Sequence, residues 1–198
     1  MAWPGHIEPG TISNEVFSHQ DMLPTLVAVA GDPDIVEKAR QGVTVGDKTF
    51  KVHLDGFNLL PFLKGEVDEN PRPGFLYWSD DGDLMALRYG NWKFHFIQQR
   101  AHGLGAWEEE FVSTRVPQFF NLRSNPFEID DHDANILFNK EKVDRIFLIL
   151  PAVGLVSQYL ETFKEFPPRQ RPASFSIDQA LEKARQQEQQ LHAVSSGD

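Results

Sequence analysis

The 198-residue sequence contains no cysteine, which excludes disulfide bonds, thiolate nucleophiles and cysteine metal ligands. Basic residues are scarce, and the net charge of −10 disfavours nucleic acid or an anionic membrane as a partner. No unbroken apolar run reaches about eighteen residues, so we expect no transmembrane helix and no membrane insertion. The N-terminus lacks a basic n-region and an apolar h-region, which predicts a soluble chain without a signal peptide and leaves its compartment open.

Aromatic residues are abundant, with 16 Phe and 4 Trp, which is enough to build the core of a single domain. Their densest stretch contains two β-type runs, residues 84–89 and 92–97. Gly90 and Asn91 join these runs, and because both residues accept positive φ at little cost they predict a tight hairpin. The second run alternates, with one face formed by Trp92, Phe94 and Phe96 and the other by Lys93 and His95.

Further strands and one long helix complete an α+β prediction. Residues 75–79 and 119–122 are two more β-type runs, so we expect a small antiparallel sheet of about four strands. Residues 140–166 follow an apolar period of about 3.6 residues, with a restart at Pro151. The width of their apolar stripe predicts a long C-terminal helix packed deeply on the sheet. A terminal surface helix is expected at residues 177–192.

Short elements are predicted in the N-terminal part. Ser18 and Asp21 have the spacing of a capping box and precede a helix over residues 23–30. A second helix is expected at residues 35–41 and a short strand at residues 50–54. The apolar positions that should form the buried face of the first helix are Leu23, Leu26, Val27 and Ala30.

Candidate chemistry is sparse along the chain. There is no nucleophile elbow, P-loop, dinucleotide fingerprint or zinc helix. The acidic clusters at residues 80–83 and 130–133 lack the spacing of a calcium loop, so solvated turns are favoured over a hydrolase that uses them. The long connection at residues 98–116 is the best remaining site, because such loops are often functional. Its candidate residues are Arg100, His102 and Trp107.

Six segments, taken in order, match one family pattern. They are the Trp3-Pro4-Gly5 turn, residues 18–31, Asp55-Gly56 with residues 63–65, residues 86–93, residues 120–128 and the tail at residues 162–178. Residues 86–93 resemble the family pattern A-I-R-x-G-x-W-K, and residues 120–128 resemble L-Y-N-L-x-x-D-P-x-E, with Asn125 where the family has Asp. Each motif is weak alone. Together the chain resembles the C-terminal part of a bacterial arylsulfatase, in the alkaline-phosphatase-like sulfatase superfamily.

The resemblance implies a division of the chain. Residues 1–65 would be the last elements of a large α/β domain, and residues 66–170 a smaller antiparallel-sheet subdomain. Residues 171–198 would be a linker and a terminal surface helix. In the parent sulfatase, a sulfuric ester hydrolase, this part is expected to be structural and to form one wall of the substrate cleft. Its rim would carry the three candidates in the long connection, which would help to choose the aryl group.

The chemistry that the resemblance implies has no counterpart in this sequence. Such sulfatases use a formylglycine made from a C/S-x-P-x-R motif, and a divalent cation, usually calcium. The match at Ser124 has Glu128 in place of the arginine, so it is read as a structural turn. We therefore expect no catalytic residue, no cofactor and no metal site in this chain. It should be inactive alone, and calcium belongs to the full-length parent.

The partner implied by this reading is the remainder of the sulfatase large domain. The alternative is a self-associating binding or assembly module, in which copies of the chain bury the apolar surfaces that the large domain would cover. Those surfaces are expected at Trp3, Leu23, Leu26, Leu59 and Phe62.

Overall fold

Short helices and one small hairpin form the N-terminal part of the chain. In the computed structural model, which describes residues 2–129 and 136–168, these elements are α1 (Met22–Val29), α2 (Ile35–Gln41), β1 (Val43–Val45), β2 (Lys48–Phe50) and α3 (Leu60–Leu63). Helix α2 has the predicted bounds. The strand predicted at residues 50–54 lies earlier than expected, because the chain turns at Gly46 (φ 63°) and pairs Val43 with Phe50.

Helix α1 does not bury the predicted face. Its buried residues are Pro24, Thr25 and Ala28. Leu23 and Leu26 are more than half exposed, so the predicted face is wrong. A polar contact sets the orientation, because the Thr25 hydroxyl accepts from Leu59 N at 3.0 Å and donates to Phe57 O at 3.3 Å. Apolar periodicity in the sequence gives no sign of such a hydrogen bond. The orientation that the hydrogen bond fixes leaves the two leucines on the surface.

The centre of the fold is an antiparallel sheet of four strands that follow chain order. They are β3 (Gly74–Trp78), β4 (Leu84–Tyr89), β5 (Trp92–Gln98) and β6 (Val112–Asn121). The α+β prediction is confirmed. The β4–β5 hairpin is also confirmed, since Gly90 has a φ of 55° and Tyr89 pairs with Trp92.

Strand β6 is longer than the sequence predicts. It begins at Val112, so the connection after β5 is shorter than residues 98–116 and contains one helical turn, α4 (Gly105–Glu108). The pairing register shifts between His95 and Ile97. Proline cannot donate to a strand ladder, so Pro117 is accommodated beside this irregularity. Pro117 also interrupts the β-type sequence pattern, so the pattern alone does not show the full length of β6.

The core lies between one face of the sheet and helix α6 (Ile149–Glu161), which follows α5 (Ile136–Asp144). Leu87, Phe94 and Phe119 from the sheet meet Ala152 of α6, and all four are buried. Partly buried residues surround this cluster, namely Leu76, Trp92, Phe96, Leu148, Ile149, Leu155 and Val156. The predicted alternation of β5 is therefore confirmed, because its three aromatic residues share the core face.

Helix α6 is packed on one side only, and the prediction of deep burial is wrong. Residues 146–164 are long and apolar enough to cross a membrane by length and composition, with a mean hydropathy of 1.6, yet only 6% of that window is buried. One such segment is weak evidence for a membrane span, since helices of globular domains pass the same test. The predicted restart is confirmed, because Pro151 lies in the first turn of α6, where its missing N–H is tolerated.

Residues Met1–Tyr77 and Leu84–Pro168 form one compact unit, and Trp78–Asp83 belong to a second. The division of residues 1–65 from residues 66–170 stays a prediction. The helix predicted at residues 177–192 and the acidic cluster at residues 130–133 lie outside the described residues.

Candidate functional site

A buried ion pair joins the N-terminal capping segment to the loop before the sheet. Asp21 and Arg72 are 0% and 3% exposed. The guanidinium donates from Nε to Asp21 Oδ2 at 2.5 Å and from Nη2 to Asp21 Oδ1 at 2.6 Å, which makes the pair bidentate. The capping box is confirmed, since Ser18 N donates to the same carboxylate at 3.0 Å. The Asp21 carboxylate therefore forms an ion pair with Arg72 and also caps the first helical turn.

Arg72 and Asp21 also hold the segment around Asp55 and Gly56. Arg72 donates to the carbonyls of Asp55 and Gly74 at 2.8 and 2.9 Å, and Phe57 N donates to Asp21 at 2.8 Å. The fit here is tight. A Cβ on Gly56 would lie 2.0 Å from the carbonyl oxygen of Gln20, so only glycine is tolerated. The 18–31 and Asp55-Gly56 motifs are thus one packed unit.

Helix α6 is connected to this unit through Tyr159. Its hydroxyl hydrogen-bonds to the Asp55 carboxylate, which also lies 3.0 Å from His53 Nδ1. Burial, and then the negative charge of Asp55, raise the pKa of Tyr159 above its ordinary value. The phenol therefore stays neutral and donates. We call Asp21, Arg72, Asp55, His53 and Tyr159 the Asp21–Arg72 network.

Stability should fall at alkaline pH because of Tyr159. A pKa that is raised in the folded state means that the folded protein holds the phenol proton more tightly than the unfolded chain does. This stabilisation is fully present below the unfolded pKa of about 10 and is lost as the pH rises through the folded pKa. In Tyr159→Phe we expect a loss of about 1 kcal/mol at neutral pH and a weaker alkaline decline. Urea unfolding over that pH range measures both effects.

The matched control is Tyr89→Phe, because Tyr89 is an exposed tyrosine at the β4–β5 turn. Its pH profile should follow the wild type. If Tyr159→Phe and Tyr89→Phe declined equally above about pH 10, the assignment to Tyr159 would be wrong.

A second polar cluster lies on the sheet face away from α6. Lys93 Nζ donates to both carboxylate oxygens of Glu128 at 2.8 and 3.0 Å, and it lies 4.6 Å from the centre of the Tyr77 ring. His95 Nε2 is 2.5 Å from Glu128 Oε2, which is an ion pair when the imidazole is protonated. The ring of Phe120 packs edge-on against His95. The lysine charge is thus already neutralised by protein.

The three candidates of the long connection lie on an ordered loop. The Gln99 side chain closes it, donating to the carbonyls of Ala106 and Glu109 at 3.2 and 2.9 Å and accepting from Ala101 N at 2.9 Å. Their side chains are exposed, and Trp107 is 85% exposed. No hydrogen bond, ion pair or ring contact joins Arg100, His102 and Trp107 within the described residues. The structure brings them to one loop, but not into one constellation, and their role stays a prediction.

The other sequence candidates lie in turns. Ser124 Oγ donates to the Asn121 carbonyl at 3.2 Å, as expected for a structural turn. In the acidic turn, Ser79 Oγ accepts from Asp81 N and Asp83 N at 3.2 and 3.0 Å. Among residues 2–129 and 136–168 there is no group of three or more His, Asp or Glu side chains fit for a metal ion.

Sequence reasoning missed Arg72 and Tyr159. Arg72 stands in a polar, proline-containing loop that predicts exposure, and its partner Asp21 is 51 positions away. Tyr159 shares the apolar period of α6 and reads as a core residue. The capping box was the one sequence signal that pointed to this site, because it placed Asp21 at the start of a helix.

Comparison with known proteins adds independent information. No family model matches the chain. Arylsulfatase A of Homo sapiens is 37% identical over 101 residues, which are 49% of this chain and 17% of that protein. An arylsulfatase of Hemicentrotus pulcherrimus is 33% identical over 139 residues, covering 69% and 22%. N-acetylgalactosamine-6-sulfatase of Sus scrofa is 30% identical over 144 residues, covering 64% and 24%.

These relatives are sulfatases, as the motif pattern suggested, but they come from a different group of organisms. They are animal sulfatases, whereas the motifs suggested a bacterial arylsulfatase, and the bacterial assignment stays a prediction. The chain spans about a fifth of the length of the curated relatives it matches. Over half to about two thirds of its own length, this chain is similar to sulfatases.

Proposed function

We propose that this chain is the C-terminal part of an arylsulfatase, a sulfuric ester hydrolase, and that it supplies scaffold rather than reacting groups. The observation that carries the proposal is the agreement between similarity and packing. The chain is similar to sulfatases, and three motif residues, Asp21, Thr25 and Gly56, are buried and make packing contacts. The matching motifs therefore specify how this part is built.

The cleft-wall role is supported by the loop that Gln99 closes. The loop is ordered and exposes most of the Trp107 side chain to solvent. Such a side chain is suited to contact a flat apolar group, because an aromatic ring gives a large contact area at low entropic cost. Arg100 and His102 lie on the same loop and can attract the negative charge of a sulfate ester. We place the aryl group of the substrate against Trp107.

The proposed partner of this chain is the remainder of the sulfatase large domain. Helix α1 supports this, because it leaves Leu23, Leu26 and Val29 exposed on a helix whose opposite face is anchored by Thr25. An apolar surface of this kind marks a contact with other protein. The exposed surface expected at Leu59 is wrong, since Leu59 is 0% exposed. Calcium is proposed to lie in that large domain, as the resemblance to sulfatases implies.

A chimeric sulfatase tests the proposal. In human arylsulfatase A, the C-terminal part is replaced by residues 2–168 of this chain, and hydrolysis of an aryl sulfate is measured. We expect turnover to be retained, because the replaced region holds packing contacts and the cleft rim. Trp107→Ala in the chimera should raise KM about tenfold, equal to about 1.4 kcal/mol, and leave kcat within about twofold.

The control in the same chimera is Phe127→Ala, which removes another highly exposed aromatic side chain outside the loop. Its KM should be unchanged. A folded chimera without turnover would contradict the structural role, and equal KM values for the two variants would contradict the position of Trp107 at the rim.

A further inference from the structure

The loop that Gln99 closes exposes two apolar side chains at its helical turn α4. Leu104 is 80% exposed and Trp107 is 85% exposed. They are three positions apart, and Trp107 N donates to the Leu104 carbonyl at 2.9 Å. Side chains that are three positions apart across such a hydrogen bond lie on the same side of the turn. We call these two side chains the Leu104–Trp107 surface.

Contacts within the loop hold this surface in place. Ala106 N donates to the Gly103 carbonyl at 3.3 Å, and Gly103 has a φ of 61°, which turns the chain into α4. A Cβ on Gly105 would lie 3.4 Å from the Cβ of Ala101, so the turn packs directly on the start of the loop. Together with the three hydrogen bonds of Gln99, these contacts order the surface before any ligand arrives. A preordered surface loses little conformational entropy on binding.

The size of the Leu104–Trp107 surface indicates a small ligand rather than another protein. A stable protein interface buries about 800 Å² on each partner, and two side chains offer far less. Exposed charged side chains flank the surface in the sequence, with Arg100 before it and Glu108, Glu109 and Glu110 after it. Charged residues are depleted from the core of protein interfaces. A ligand of the size of a substrate is therefore the occupant that fits.

The charges of the loop leave its selectivity to the apolar side chains. One arginine and three glutamates give residues 99–110 a net charge of −2 with His102 neutral. Such a loop does not concentrate polyanions. Arg100 and His102 suit a single sulfate group, whereas the glutamates repel further anionic groups on a substrate. Differences in affinity between esters with one sulfate should therefore come from the apolar contact.

We propose that the Leu104–Trp107 surface selects sulfate esters whose apolar group is flat and extended, with two or more fused rings, over esters of a single ring. The inference rests on the proposed function, which places this loop at the rim of the substrate cleft. A single ring stacked on Trp107 leaves Leu104 uncovered, because Cβ atoms three positions apart are separated by about 5–6 Å. A second fused ring reaches Leu104, which is therefore the residue that determines this specificity.

Kinetics of the chimera test the inference. KM is measured for phenyl sulfate and for naphthyl sulfate. The naphthyl ester should have a KM about fivefold lower, as expected for burying about 40 Å² more apolar surface. In Leu104→Ala the two KM values should agree within about twofold. The matched control is Leu150→Ala, because Leu150 is a leucine of α6 that is 78% exposed, and this variant should keep the ratio of the chimera. Circular dichroism verifies that both variants are folded.

Salt separates apolar contact from electrostatic attraction. The preference for the naphthyl ester should persist at about 1 M salt, where charges are screened within about 3 Å. A preference that disappears with salt would overturn the assignment to apolar contact. An unchanged preference in Leu104→Ala would overturn the role of Leu104.

Failure of the proposed function is measured separately. A folded chimera that hydrolyses neither ester contradicts the scaffold role, and the surface is then tested by NMR in the full 198-residue chain. Naphthyl sulfate at about 10 mM should shift the indole N–H signal of Trp107, and the shift should be smaller in Leu104→Ala. No shift in the full chain would overturn the inference. An active chimera with equal KM values for the two esters would overturn it as well.

Discussion

Arg72→Met is expected to destabilise the protein by about 3–5 kcal/mol, the typical cost of breaking a buried ion pair by removing one partner. The Asp21 carboxylate is 0% exposed, and without the guanidinium it would remain buried with only the backbone donors of Ser18 and Phe57. The carbonyls of Asp55 and Gly74 would lose their donor as well. Urea-induced unfolding, followed by circular dichroism, measures the change in the free energy of unfolding.

The matched control is Lys38→Met, which breaks an ion pair of similar length in the exposed part of the same unit. Lys38 Nζ lies 2.7 Å from Asp32 Oδ1, but both groups are in contact with water, so no measurable change is expected. A cost below about 1 kcal/mol for Arg72→Met would show that the buried network does not hold the N-terminal part to the sheet.

The double variant Asp21→Asn with Arg72→Met measures the interaction energy between the two side chains. Removing both charges leaves no uncompensated buried ion, so the double variant should cost clearly less than the sum of the two single variants. Strict additivity would mean that the two residues act independently, in conflict with their bidentate contact.

Local contacts of the fold could be predicted from the sequence, and contacts between distant segments could not. The β4–β5 hairpin follows from alternation and from the backbone freedom of Gly90, and both signals lie within a few residues. The capping box at Ser18 is equally local. Periodicity shows which side of a helix is apolar, but not which apolar side is covered. For that reason the buried face of α1 and the depth of α6 were predicted wrongly.

The candidate site shows the same limit. The connection that carries Trp107 could be recognised from its length and composition, but the closure of that loop by Gln99 depends on carbonyls seven and ten positions away. Arg72 gave no signal at all, because a basic residue between two prolines is typical of an exposed loop. Its burial depends on Asp21, which folding brings to it from 51 positions earlier.

The largest expected effect concerns catalysis. Cleavage of a sulfate ester places negative charge on the leaving oxygen, so a catalytic site needs unpaired cations or donors directed at that charge. Within residues 2–129 and 136–168, the one basic residue that is fully buried is Arg72, and Asp21 already neutralises it. Lys93 is likewise bound to Glu128. If this chain is a scaffold, as we propose, it should not hydrolyse a sulfate ester on its own.

The most direct measurement is the hydrolysis of an aryl sulfate by the isolated 198-residue chain in the presence of calcium, with intact human arylsulfatase A as the positive control. Alongside it, circular dichroism verifies that the chain is folded. The predicted result is a rate equal to that of buffer alone. Calcium-dependent turnover comparable to that of the full-length sulfatase would contradict the scaffold role of this chain.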